Sequence, residues 1–244
     1  MEQLIDNIDI LSFILTIALI LATIGVYQFF AYLQSKTQLI WLNPMLLSIA
    51  AIIPLLLHFK LPFDQYFHST QMLNNLLEPA VVALGFPLYQ HLNSIKHQWK
   101  ALGLLLVLAV ILVIVISFTL TIVFIAIPEI AVSLSLKSIT TPIGIALTQQ
   151  LNGDTSITAF AIILAGLFGA LLGPTWLNFV NVKSAKAQGL AIGAASHALG
   201  TATISKISYE HGAYGSLSLI VCAVITALVS PFLINNLTML LIPF

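Results

Sequence analysis

Hydrophobic residues run through this chain in long blocks rather than in alternating or amphipathic patterns. Charged residues cut it into five uncharged stretches, residues 10–35, 37–59, 101–128, 155–182 and 211–244. Each supplies the roughly 20 apolar residues that a helix needs to cross a hydrocarbon core. Backbone polar groups cannot stay unpaired against lipid, so the pattern predicts five spanning helices.

Three shorter uncharged segments, 79–95, 138–153 and 187–205, combine Pro or Gly with hydroxyl or amide side chains. They are at or below spanning length and are expected to be broken or re-entrant helices. Polar groups survive at membrane depth only where they face protein or a watery cavity, so a binding site is expected in these segments.

Two of them align internally. Glu78-Pro79-Ala80-Val81-Val82-Ala83-Leu84 matches Thr141-Pro142-Ile143-Gly144-Ile145-Ala146-Leu147. Each copy is followed by a polar end (Gln90 to Asn93, Gln149 to Asn152) and then by a long apolar helix. The shared order reads as a repeat within one polytopic domain, residues 1–244, with approximate halves 37–128 and 129–244. If each short segment enters and leaves on one face, a single full span separates the copies and the repeat is inverted. Lys60, Lys96, Lys100, Lys183, Lys186 and Lys206 then share one side and Lys36 and Lys137 the other, an asymmetry of the positive-inside kind.

Composition narrows the class further. Hydrophobic residues make up 59% of the chain and charged residues 7%, with a mean hydropathy of +1.07, which excludes a water-soluble domain. The net charge is zero and the basic residues are all lysines, with no cluster dense enough for nucleic acid. Glu2, Asp6 and Asp9 stand where a signal peptide would carry Lys or Arg, so the first stretch reads as a retained span. Cys222, the single cysteine, lies in the last stretch and reads as a buried apolar side chain with no disulfide partner in the chain.

Candidate chemistry sits in the short segments. Lys137 precedes Ser138, Thr140 and Thr141, and Pro142 then opens a helix. A helix start with free N–H groups, hydroxyls and an adjacent ammonium suits an anion, above all a carboxylate. The alternative is a snorkelling lysine and hydroxyls that merely cap the helix. Glu78 stands at the mouth of the equivalent earlier helix, where a carboxylate also stabilises the helix dipole, and Pro79 and Pro87 should kink or break that helix between them. His197 lies between Ser196 and Gly200-Thr201, with Gly189 and Gly193 forming a GxxxG pair. A histidine at bilayer depth is a site candidate by default, able to donate to a carboxylate or exchange a proton. The bland alternative is a histidine bonded to a neighbouring helix carbonyl. Pro79, Pro87, Pro142, Gly193 and Gly200 are the expected helix breaks.

The remaining polar residues suit structural places. His58, His68, His91, His97 and His211 read as interfacial and show no metal-ligand spacing. Asp154 reads as a turn marker, and Trp41, Trp99 and Trp176 as interfacial belt residues. No metal or cofactor is expected.

Glu78 through Tyr89, Lys137 through Ala146 and Gly193 through Ala202 together resemble the three signature stretches of the LrgB/CidB family, in its order and spacing, over nearly the whole chain. The family is described as holin/antiholin-like and linked to murein hydrolase export and cell lysis. Its relatives that carry small organic acids include the plastidal glycolate/glycerate translocator. The resemblance implies an all-α integral membrane protein with inverted repeats and crossed, broken helices, of the cation/proton antiporter and bile-acid symporter type. It also implies a homodimer in the cell membrane. Thr148-Gln149 stands where the family often has Ser-Glu, and Ala198-Leu199 where Gly-Ile is usual, so a coupling ion that relied on the carboxylate is in doubt.

These features lead to a multi-pass carrier for small monocarboxylates, of glycolate, lactate or pyruvate type, with elevator-like movement and proton or cation coupling. Lys137, Ser138, Thr140, Thr141, Ser196, His197, Thr201 and Glu78 are its expected substrate contacts. The competing reading is a holin/antiholin-like pore or regulator acting with a small LrgA/CidA-like membrane partner, for which polar faces should recur along several spans; the spans are largely apolar. An enzyme is not expected, since adjacent Ser196 and His197 diverge on a helix and there is no G-x-S-x-G elbow.

Overall fold

The computed structural model describes residues 2–37 and 42–241; the side chains of residues 2–11, 77 and 78 lie outside that description, as does all of Trp41. The described residues form helices throughout, in two compact units divided after Val81.

The first unit contains α1 (Glu2–Thr37), α2 (Pro44–His58), α3 (Phe63–Ser69) and α4 (Gln71–Asn75), and α5 (Leu77–Ala83) begins in it. Asn43 sets the start of α2 by accepting from the N–H groups of Met45 (2.9 Å) and Leu46 (3.2 Å), just before Pro44 in the first turn. Within the unit α1 packs on α2, and the Thr23 and Tyr66 hydroxyls meet at 2.9 Å between α1 and α3. Residues 12–37 of α1 are apolar and unburied along their most hydrophobic window, as expected of a helix whose solvent is lipid.

The second unit holds α6 (Gly85–Gln90), α7 (Leu92–Ile125), α8 (Pro128–Ser135), α9 (Thr141–Gln150), α10 (Thr155–Phe179), α11 (Ala185–Ser205) and α12 (Tyr209–Leu241). Among the described residues, four helices are long and apolar enough to cross a membrane: Ser12–Thr37 of α1, and α7, α10 and α12. A fifth crossing exists if α2 and α3, bent by 120°, count as one broken span. Of the expected second span, 37–59, the described residues form the helix Pro44–His58, which starts at the Asn43 cap. The chain is thus an all-α membrane protein.

The short segments are interrupted as expected. The helix after Glu78 breaks at Leu84, between Pro79 and Pro87, into α5 and α6. Residues 136–140 separate α8 from α9, and Pro142 occupies the first turn of α9. Asp154, expected to mark a turn, is the N-cap of α10, accepting from Ser156 N (2.7 Å) and Ile157 N (3.0 Å).

Packing follows the small residues. On α7 the buried positions Ile95, Leu102, Leu106, Val110, Ile114 and Phe118 form one stripe, which faces α12 and α8. Between α11 and α12 the approach is closer. A Cβ on Gly193 would run into the Gly215 backbone, and one on Gly189 would stand 2.7 Å from the His211 carbonyl. The GxxxG pair thus lets two backbones touch, which is how membrane helices associate when lipid is as apolar as their side chains.

Candidate functional site

One helix discontinuity borders a cavity, and a second lies two residues beyond another part of its wall. The first is the non-helical stretch between α8 and α9. Its far side is anchored by a buried hydroxyl knot: Thr148 Oγ1 donates to Gly144 O (2.7 Å) and meets Thr158 Oγ1 at 2.8 Å, while Ser133 Oγ accepts from Asp154 N (2.8 Å). Each of these hydroxyls is satisfied, so the knot fixes the end of α9 to α8 and α10. At the other end of α9, Thr140 is the N-cap residue in extended conformation, but its side chain makes no capping bond. The first N–H groups of this ten-residue helix therefore have no side-chain cap from Thr140.

The second discontinuity lies inside α11. Ser196 (φ −129°, ψ 15°) and His197 (φ 42°, ψ −139°) leave the helical region, splitting it into residues 185–195 and 198–205. A positive φ on a residue with a Cβ costs about 1–3 kcal/mol and persists only where its surroundings hold it. Three contacts do so here. His197 Nε2 lies 2.8 Å from Ile162 O on α10, its own carbonyl accepts from Thr201 Oγ1 at 2.7 Å, and its ring packs on Gly166. Ser196 packs against Gly169 in the same way. The break falls at Ser196 and His197, whereas Gly193 and Gly200, expected as breaks, lie in helical turns on either side and provide close packing.

The cavity between these discontinuities has a volume of about 10 Å³, room for one water. Ser135, Leu136, Ser138 and Ile139 supply one wall and Ala194, two residues before the break in α11, another; α7 closes it with Val110, Val113 and Ile114, and α12 with Cys222 and Thr226. Ser135 Oγ donates to Ala131 O (2.6 Å), which leaves its lone pairs for the cavity. The Ser138 and Thr226 hydroxyls make no hydrogen bond among the described residues.

Of the expected contacts, Ser138 lines this cavity, while Lys137, Thr140, Thr141, Ser196, His197 and Thr201 do not. The Lys137 ammonium donates to Ser117 Oγ on α7 and lies 3.5 Å from Leu134 O. Glu78 lies in α5, with its side chain outside the described residues. His197 makes the bond to a neighbouring carbonyl that the structural reading of this residue anticipates. His58, His68 and His97 are exposed; His211, half-buried, bonds through Nε2 to Gln188 Oε1 (3.2 Å) and through Nδ1 to Ser208 Oγ (2.8 Å).

Sequence reasoning missed Ser135, Ala194, Cys222 and Thr226. The signal for two of them was present. Ser218, Cys222, Thr226 and Ser230 recur every four residues on an otherwise apolar helix, and all four are buried. Such a stripe is one helix face of small, weakly polar groups. Ala194 carries no such mark.

Residues 23–236 match the sequence profile of the LrgB-like family. The chain is 35% identical over 223 residues to the "Holin-like protein CidB" of Staphylococcus epidermidis (strain ATCC 12228 / FDA PCI 1200), covering 91% of this chain and 97% of that one. To the protein of the same name from Staphylococcus aureus (strain N315) it is 33% identical with the same coverage. An uncharacterised protein of Haemophilus influenzae is 33% identical over 190 residues, 78% of this chain and 82% of its own. No solved structure matches the chain.

Proposed function

This chain belongs to the LrgB-like family, and from that premise we propose that it is a secondary carrier of small monocarboxylates whose binding site is the cavity between the two helix breaks. The observation that carries the reading is the common cavity wall formed by the α8–α9 break and by Ala194 beside the α11 break. Non-helical backbone at membrane depth is tolerated where it lines a cavity, and paired broken helices are how carriers present N–H groups and carbonyls to a solute.

A carboxylate entering here would meet the Ser138 and Thr226 hydroxyls, with the Lys137 charge one residue from Ser138. These donors suit a small anion. The space of about 10 Å³ has room for a water but not for glycolate. Binding then requires the walls to part, and elevator-like movement of the broken helices within an inverted repeat supplies that opening. His197 is the residue we assign to proton coupling; Glu78 and Thr201 complete the set of residues whose substitution should alter transport. A homodimer in the cell membrane, with a small LrgA/CidA-like partner, completes the proposal.

The name of the staphylococcal relatives, holin-like, favours a second reading, a regulated pore. Labelled glycolate, lactate and pyruvate added to proteoliposomes separate the two. Saturable, mutually competitive uptake supports the carrier; unsaturable leakage without selectivity supports the pore.

A further inference from the structure

We propose that the groove between α7 and α12 is a binding site for one anionic phospholipid, with an acyl chain in the groove and its phosphate against Lys96 and Lys100. The groove has a volume of about 250 Å³ and is lined by Ile95, Trp99, Leu102, Gly103 and Leu106 of α7 and by Leu217 and Val221 of α12. Its lining is apolar, while Lys96 and Lys100, both exposed, stand one helical turn apart at the end where α7 begins. The Lys100 ammonium lies 5.8 Å from the centre of the Trp99 ring. An exposed tryptophan beside lysines marks the headgroup level. From Lys96 to Leu106 the helix rises about 15 Å, the depth of one leaflet's hydrocarbon. The groove therefore begins among phosphates and runs along acyl chains.

Gly103 is the independent observation. A Cβ built there meets nothing within 4 Å, so no neighbour in the chain requires a glycine at this position. Glycine inside a helix is destabilising relative to alanine. Its missing side chain does deepen the groove midway between Trp99 and Leu106. Basic residues at the mouth of a cleft between membrane helices are the chemistry that recognises an anionic headgroup. A general lipid annulus needs neither the cleft nor the paired charges. Glu210, the acidic residue in the first turn of α12, stands about two turns before Leu217, so the phosphate is placed on the α7 side of the groove.

The test is native mass spectrometry of the purified full-length protein in detergent, titrated with phosphatidylglycerol or with phosphatidylcholine of the same acyl chains. The expected result is saturable retention of one phosphatidylglycerol per chain, with phosphatidylcholine retained more weakly. In the Lys96→Gln/Lys100→Gln double variant the preference should fall roughly 30-fold, at about tenfold per 1.4 kcal/mol and about 1 kcal/mol per lysine. Gly103→Leu should reduce retention of both lipids by filling the groove, and if that variant does not fold the double variant decides alone. Glycerol 1-phosphate, which has no chains, should not displace the lipid. Equal retention of the two lipids, an unchanged preference in the double variant, or displacement by glycerol 1-phosphate would each overturn the proposal.

Discussion

His197 Nε2 lies 2.8 Å from the carbonyl oxygen of Ile162, a bond that ties the break in α11 to the middle of α10. The imidazole thus holds a backbone that its own Cβ makes costly. Replacing it separates the two effects. His197→Ala leaves the Ile162 carbonyl without this partner, a loss of about 1–3 kcal/mol, and keeps the strain. His197→Gly loses the same bond but adopts the positive φ freely. Thermal unfolding in detergent should rank native above His197→Gly and His197→Gly above His197→Ala. If the alanine variant is the more stable of the two, the backbone at this position is not strained.

The same bond places the titrating atom. A carbonyl only accepts, so Nε2 keeps its proton in both charge states and Nδ1 is where a second proton is gained. A bound carboxylate favours the imidazolium, and by linkage the imidazolium favours the carboxylate. Uptake affinity should therefore rise as pH falls within about 8 to 5, the range in which histidine titrates. In His197→Gln, which keeps a donor for Ile162 but cannot charge, the profile should flatten. An identical profile in the variant would place any proton coupling elsewhere.

Lys137 carries the charge nearest Ser138, and its ammonium is held by Ser117 Oγ on α7. Charge-assisted hydrogen bonds contribute about 1.5–3 kcal/mol, so Lys137→Ala should raise the apparent Kd for glycolate at least about tenfold. Insertion and folding should be retained. Ser117→Ala, which frees the ammonium without removing it, should have the smaller effect. Equal affinity in native protein and Lys137→Ala would assign the lysine to anchoring alone.

Gly193 stands where α11 meets the Gly215 backbone. A methyl group there forces the helices apart, and overpacking of this kind costs about 1–3 kcal/mol. Gly193→Ala should lower the midpoint of thermal unfolding, whereas Gly25→Ala, at a position with nothing within 4 Å, should leave it unchanged or raise it. Equal midpoints for native and Gly193→Ala would show that α11 and α12 tolerate separation.

Much of the architecture was legible because the bilayer imposes it. Uncharged stretches marked the long helices α1, α7, α10 and α12, and Pro or Gly with hydroxyls marked the interrupted segments. Asn43 and Asp154 set helix starts by local chemistry that sequence displays directly. The site was legible only in part. Ser138 was singled out because it follows a lysine in the short run that leads to Pro142. Ala194 was not, since an alanine matters here only through the helix it faces, and Cys222 looked like any apolar-stretch cysteine until α12 turned it toward the break. The position of the α11 break was also hidden. Glycine is the residue at which a helix most readily breaks, but here the glycines serve close packing, and the strain falls on His197 because α10 offers it a carbonyl.

Cys222 makes the central claim measurable, being the single cysteine of the chain and part of the cavity wall. In proteoliposomes it should react slowly with a small, membrane-permeant thiol reagent, at a rate set by opening of the walls. Saturating glycolate, lactate or pyruvate should slow that reaction, with half-protection at the concentration that half-saturates uptake. Labelling at the same rate with and without these acids, in vesicles that still take them up saturably, would show that the carboxylate does not bind between the two helix breaks.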